Sequence, residues 1–430
     1  MKKILLAVVL VLAIAALAAC GDGGGGGGGS GGATKMEFWT FQELHVEFFE
    51  TMMHKWNEQN PEQEIDFDFV PLPYDDMHNR LLISLQAGEG APDMVDIEIG
   101  KFANFLRGDI QMVPINRVVE PELNNIVRSR VDIYAKDGNF YGVCFHIGAA
   151  VIYYNEEALT EAGIDWRDII TWDDYYEAGR TFADSTGKAW STMEINDPWH
   201  MWPLLSSQGG DLLAKDGTPN ISSPQMVRAL EFNQKLLREG ISIVTPGDNQ
   251  HSEAFYGLMN DGGVGSVIMP MWYMGRFTDY MPDLSGKIAI AALPVWEAGQ
   301  PRSVGLGGTG TVITTQSEHP DLAMDYLAFA KLSKEGNVEI WKLMGFDPIR
   351  TETWTMPELR DARPNKFLDY FSTNPFDVLL EIIDEIPAIT VSEALPPTMD
   401  HMKNSVYYLT YVDMVDVAPM LVEEQAKIQY

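Results

Sequence analysis

The sequence predicts an α/β protein of two wound lobes, and three observations lead there. Strand and helix patterns alternate as β-α-β-α-β over residues 36–97, a second stretch of like character begins near residue 148, and a chain of 430 residues that is 46% hydrophobic has apolar material for more than one core. The β-α-β-α-β pattern is the signature of a parallel sheet with right-handed crossovers, whose ligand crevice lies beyond the carboxyl ends of the strands.

Met36 to Thr40 is a short strand. His45 to Asn60 carries Phe48, Phe49, Met52, Met53 and Trp56 on one helical face and stops at Asn60-Pro61. Ile65, Phe67 and Phe69 alternate with Asp66 and Asp68, which makes a strand with one polar face. Asp75 to Gln86 places Met77, Leu81, Leu82 and Leu85 at helical spacing and ends near Gly88, and Met94 to Ile97 is the third strand. In the second stretch, Val151 to Tyr154 is a strand, Asn155 caps a helix ending at Gly163, and Thr171-Trp-Asp-Asp174 forms a capping box. Val227 to Arg238 is an amphipathic helix. Ser266 to Met269, Lys287 to Ala292 and Val312 to Thr315 are strands, and Asp321 to Phe346 is helical. The remainder is helical, with proline breaks at Pro364, Pro375, Pro387 and Pro396-Pro397.

The N-terminus reads as an address and a tether. Met1-Lys2-Lys3 is a positive start, and Ile4 to Ala19 is an apolar run too short for a permanent span. It ends in Leu17-Ala18-Ala19-Cys20, which resembles the bacterial lipobox, so residues 1–19 are expected to be removed and Cys20 lipidated. Gly21 to Ala33 is almost entirely glycine and offers no apolar side chain to fold it, so 20–33 is a leash with a reach of ~20 Å. Cys144, the only other cysteine, is then a buried free thiol.

Charge narrows the partners. Against 62 acidic residues stand 30 basic ones, a net of −32, which repels phosphate backbones and anionic head groups. Nucleic acid is therefore excluded as a partner, and the membrane is met only through the lipid. Enzyme motifs are poor. Gly305-Leu-Gly307-Gly-Thr-Gly310 fits G-x-G-x-x-G but leads into a strand, so no helix dipole is there to hold a pyrophosphate. No H-E-x-x-H pair is present, and no G-x-S-x-G nucleophile elbow exists, the one literal match at 28–32 lying inside the glycine leash. No metal, cofactor or catalytic residue is expected.

Several segments in order carry a family resemblance: Phe38-Trp39-Thr40-Phe41, Gly88-Glu-Gly-Ala-Pro92-Asp93, Asp137-Gly-Asn-Phe-Tyr141-Gly142, Val151-Ile-Tyr-Tyr154-Asn155, Thr171-Trp172-Asp173, Trp202-Pro203 with Gly209-Gly210, and His319-Pro320. Together they resemble the extracellular solute-binding proteins of ABC importers, of the sugar-binding, maltose-type kind. That resemblance implies a type II periplasmic-binding-protein-like fold with the ligand between the lobes. The N-terminal lobe would comprise 34–146 and 304–349, and the C-terminal lobe 147–303 and 350–430. Crossings would fall near Phe145 to Gly148, Pro301 to Val304 and Pro348 to Thr351. It also implies a monomeric receptor on the outer face of the bacterial membrane, which closes on a carbohydrate and delivers it to the membrane subunits of a permease. The segment from Phe38 to Asn104 is most similar to receptors for arabinose or arabino-oligosaccharides. A secreted glycoside hydrolase, which needs only two carboxylates facing one sugar, and a binder of a cationic solute such as a polyamine are the alternatives.

A neutral sugar offers hydroxyls around its rim and apolar faces, so its site needs flat aromatic platforms with a few carboxylates and amides. Trp199 and Trp272 are the platform candidates, with Tyr273 beside the second; relatives place an aromatic at similar positions. Trp39, Trp172 and Trp202 read as structural. Polar contacts are assigned to Gln42 and Glu43 after the first strand, Glu98 after the third, Asp197, and His146 at the first crossing. Gly307 and Gly308 beside the second crossing serve as backbone that bends or approaches a ligand closely.

Overall fold

The computed structural model describes residues 32–430, so the predicted leader, the lipidation site Cys20 and most of the glycine leash lie outside the described residues. The first lobe is built on β1 (Thr34–Thr40), α1 (Glu43–Gln59), β2 (Ile65–Pro71), α2 (Tyr74–Ala87) and β3 (Met94–Glu98). β1 pairs in parallel with both β2 and β3. The face of α1 carrying His45, Phe48, Phe49, Met52 and Trp56 is buried, with the Phe49 ring 4.4 Å from that of Phe38 on β1. α2 ends where Gly88 turns left-handed, φ +76°. β4 (Gly142–Cys144) is the last strand of this sheet to arrive before the chain crosses over.

The second lobe centres on β5 (Ala150–Asn155), flanked by α3 (Trp172–Thr186) and α4 (Pro224–Arg238). The Thr171 capping box forms as expected: Asp174 N donates to Thr171 Oγ1 at 3.1 Å, and Thr171 N donates to the Asp174 carboxylate at 2.8 Å. Its three-stranded sheet has β5 between β6 (Ser266–Pro270) and β7 (Ile288–Ala291), both antiparallel to it. β8 (Thr309–Ile313) then returns to the first lobe and completes the order β2-β1-β3-β8-β4, antiparallel to β3 and β4. It starts three residues before the expected Val312. Gly310 hides that start from sequence periodicity, and it is glycine because a Cβ there would lie 2.6 Å from the Tyr134 ring. Prolines expected to break the C-terminal helices instead start them: Pro375 opens Pro375–Ile382, and Pro396 lies in the first turn of Leu395–His401.

The crossings are three backbone segments hydrogen-bonded to one another. Leu306 N donates to Gly148 O, Ala150 N to Val304 O, and Ile147 N to Asp347 O, at 2.9, 2.9 and 3.0 Å. The buried Asp347 carboxylate accepts from Gly148 N at 3.1 Å and Ala149 N at 2.8 Å, tying the first crossing to the third. Burial pushes that carboxyl up to about 7. From the other side the buried Arg130 guanidinium donates to the carbonyls of Gly305 and Gly307. Cys144 is a buried free thiol within β4.

Gly148 has φ +66°, and a Cβ on it would lie 2.0 Å from the Leu306 carbonyl oxygen. Gly148→Ala is therefore expected to cost ~2–4 kcal/mol, combining left-handed strain with overpacking. Urea unfolding measures this; a variant of unchanged midpoint would mean that the crossings are not held at this spacing.

Candidate functional site

The carboxyl ends of β1 and β3, the end of β6 and the second crossing face one region. Glu98, the last residue of β3, caps the short helix Ile99–Phe102: its Oε2 accepts from Gly100 N at 2.7 Å and from the Tyr74 hydroxyl at 2.9 Å. The other oxygen, Oε1, is buried without a protein partner, and burial raises the carboxyl above its usual range. Behind it stands Asp96, fully buried, accepting from Thr40, Thr311 and the His45 ring at 2.9, 2.6 and 2.9 Å. Lys331 closes that network by donating to Thr311 Oγ1 at 2.7 Å, with its ammonium over the Phe145 ring.

From the second lobe, Trp199 lies nearly parallel to Trp202 at 6.4 Å and edge-on to Trp272 at 5.6 Å and 84°. Trp272 stacks on His251 at 5.7 Å, and its indole N–H donates to Leu306 O at 3.2 Å. Both rings are half-buried, as platforms must be if one face is to stay available, whereas Trp39, Trp172 and Trp202 are buried in the core. A side chain at Gly307 would meet the Trp272 indole nitrogen at 3.0 Å and Trp199 at 3.8 Å, so the glycine leaves the two rings their space. Asp197, two residues before Trp199, is half-buried and makes no side-chain hydrogen bond among the described residues. Burial and then the charge of Glu194 push its carboxyl up to about 7; Lys403 pulls it down and Glu98 pushes it up. The charge of Glu98 thus acts on Asp197, and that of Lys403 acts on both carboxylates.

Other candidates fall elsewhere. Tyr273 is a core residue: it is fully buried and its hydroxyl donates to the Gln250 carbonyl, because consecutive side chains of the 3-10 turn Met271–Tyr273 stand about 120° apart. His146 is buried at the first crossing against the Phe346 ring at 4.8 Å, and burial holds its imidazole well below the usual range. It is a hinge histidine with its backbone bridged to Pro348. Gly308 packs: a Cβ there would lie 2.6 Å from Arg130, and its carbonyl accepts from Ile99 N at 2.9 Å. Gln42 and Glu43 are exposed at the start of α1, and no side-chain hydrogen bond brings either to the tryptophans.

Sequence reasoning missed Tyr74 and the C-terminal residues Met399, Lys403 and Tyr407. The strand-end rule finds Tyr74 once it is applied to β2, whose carboxyl end it follows. The C-terminal residues lie in a helix with no motif.

The family model for bacterial extracellular solute-binding proteins matches residues 42–336. An arabinooligosaccharide-binding protein of Halalkalibacterium halodurans is 44% identical over 377 residues, 87% of this chain and 84% of the relative. One of the same description from Bacillus subtilis is 43% identical over 380 residues, 88% and 87% of the two chains. Among solved structures, the galacto-N-biose-/lacto-N-biose I-binding protein of Bifidobacterium longum superposes with a TM-score of 0.76 at 18% identity, covering 92% of this chain and 96% of that one. That likeness extends to the two-lobed fold alone. The hydrolase alternative falls away, because the relatives of high identity are binding proteins. With its model spanning most of the chain, the family is established: this protein belongs to the bacterial extracellular solute-binding proteins and is a binding protein, not an enzyme.

Proposed function

We propose that the chain is the receptor of an ABC carbohydrate importer, that it takes an arabino-oligosaccharide into the crevice between its lobes, and that it hands the sugar intact to the permease. The observation that carries this reading is the half-buried pair Trp199 and Trp272 set edge to face beside Gly307, with the carboxylates of Glu98 and Asp197 near one another. Flat rings take the apolar faces of a sugar, and carboxylate oxygens accept from its hydroxyls. The two arabinooligosaccharide-binding relatives support the choice of ligand. Lipidation at Cys20 and a monomeric state complete the proposal: the leash lets a tethered receptor turn toward its permease.

Micromolar affinity corresponds to about −8.2 kcal/mol, and neutral hydrogen bonds contribute only ~1 kcal/mol each. Several contacts and a stacked ring must therefore act together. A cationic solute would need the acidic groups of the crevice unopposed, and Lys403 opposes them.

A thermal-shift series on residues 34–430 against mono- and oligosaccharides tests the ligand class. A bound sugar at about 100 times its Kd adds ~2.7 kcal/mol of stability; stabilisation by polyamines and by none of the sugars would overturn the reading. Trp199→Ala and Trp272→Ala are each expected to weaken arabino-oligosaccharide binding by about tenfold or more with the fold retained. Unchanged affinity in both would return the rings to packing. Asp197 accepts hydrogen bonds best when ionised. With its carboxyl at about 7, affinity should fall as pH drops from 8 to 5.5 and level off above 8, and titration calorimetry across that range reads it. A flat profile would remove Asp197 from the site.

A further inference from the structure

We propose that the C-terminal helix forms a third wall of the ligand crevice and that Lys403 on it is a specificity-determining residue, donating to a neutral sugar held by Glu98 and Asp197 and barring cationic solutes. The proposal rests on the carbohydrate reading above and deepens it.

The helix runs unbroken from Leu395 to Tyr411, with a π stretch over Met402–Val406. Its first turns pack on the segment Ile99–Leu106 that follows β3. Met399 Sδ lies 3.4 Å from the position a Gly100 Cβ would take, beside the N–H that holds Glu98. Upstream, Arg107 donates to Glu393 O at 3.1 Å and ties the approach to the helix to the first lobe. Residues four apart follow: Met399 beside Glu98, then Lys403, then Tyr407. The wider π turn keeps such residues near one face.

Unsatisfied polar atoms mark this face. Tyr407 is fully buried and its hydroxyl has no protein partner, nor has Glu98 Oε1. Lys403 is half-buried, with no carboxylate oxygen within 4.0 Å of its ammonium among the described residues, and it stands between Met399, packed at Gly100, and Tyr407, whose ring lies 6.5 Å from that of His200, three residues after Asp197. Glu98 Oε1 beside one end of this helix and the Tyr407 hydroxyl two turns further along it are buried polar atoms that a polar ligand would satisfy. A sugar hydroxyl can accept from the ammonium and donate to a carboxylate at once, whereas a cationic solute would meet the ammonium as a like charge. The charged groups that act on Asp197 are Glu194 on its own loop, Glu98 from β3 and Lys403 from the helix, and Asp197 in turn acts on the Tyr407 hydroxyl.

The test uses the leashless body, residues 34–430, as wild type and as Lys403→Met, Lys403→Gln and Lys403→Arg, each checked for native circular dichroism. Arabinotriose and spermidine are titrated calorimetrically, and the Asp197 carboxyl is titrated by carbon-13 NMR in the unliganded protein. Loss of the ammonium should weaken arabinotriose about tenfold or more, with Lys403→Arg recovering most of the loss. Spermidine binding should be absent in wild type and detectable in Lys403→Met. The Asp197 midpoint should move upward in Lys403→Met or, should that variant misfold, in Lys403→Gln. An unmoved midpoint, or unchanged arabinotriose affinity, overturns the proposal. If wild type binds no sugar at all, the carbohydrate reading fails by itself, and the midpoint alone decides whether Lys403 acts on Asp197.

Discussion

The molecule depends on how closely three crossing segments can approach one another. With a carbonyl 2.0 Å from where a Gly148 Cβ would stand, the first and second crossings touch backbone to backbone. Asp347 and Arg130 then fix them from opposite sides, one accepting two N–H groups and the other donating to two carbonyls. A buried carboxylate and a buried guanidinium are costly unless their hydrogen bonds are made, and here backbone groups make most of them. The consequence for function is geometric. The carbonyls that Arg130 holds belong to Gly305 and Gly307, and Gly307 is the floor beneath Trp199 and Trp272. If the rings hold the ligand as proposed, hinge and binding floor are one stretch of chain, and a ligand pressing on them would act directly on the joint between the lobes.

Behind the first-lobe side of the crevice the core is polar rather than oily. Asp96, Thr40, His45, Thr311 and Lys331 form one buried network across β1, α1, β3, β8 and the helix after it. Burial drives Lys331 down to about 7, with the Asp96 charge opposing that shift. Such a network is rigid when all its members are satisfied. It sits two residues before Glu98 on the same strand, so the carboxylate that faces the crevice is mounted on a stiff base.

Legibility in the sequence followed side-chain periodicity. β1, α1, β2, α2 and β3 were readable because apolar residues recur at periods of two or 3.6, and that alternation alone implies a parallel sheet. The start of β8 was hidden because glycine has no side chain to contribute to a period. Trp272 and Tyr273 are neighbours of equal aromatic character, and only the turn after β6 decides that one faces the crevice and the other the core. His146 reads in the sequence as a crossing residue, and the structure buries it there against the Phe346 ring with its backbone bridged to Pro348. Lys403 was invisible for a different reason: a lysine in a helix is ordinarily a solvated surface group, and the proposal for it comes from the packing of Met399, on the same helix, against Gly100 about three hundred positions earlier.

The unpaired polar atoms give closure a direction. A buried donor or acceptor left without a partner costs ~1–3 kcal/mol, and Glu98 Oε1 and the Tyr407 hydroxyl are both of this kind. If both groups face the proposed crevice, that cost favours separating the lobes while it is empty, since water then reaches them. A sugar that bonds to them removes the cost only when the lobes are together, so its affinity for the shut arrangement exceeds that for the open one. That difference is the free energy by which a ligand shifts a two-state equilibrium, and no contact made equally in both states adds to it. Stacking on Trp199 and Trp272 involves rings of the second lobe only, so it contributes to affinity more than to closure. On the proposed reading, groups from both lobes and from the C-terminal helix, more than the rings, would make binding shut the clamp.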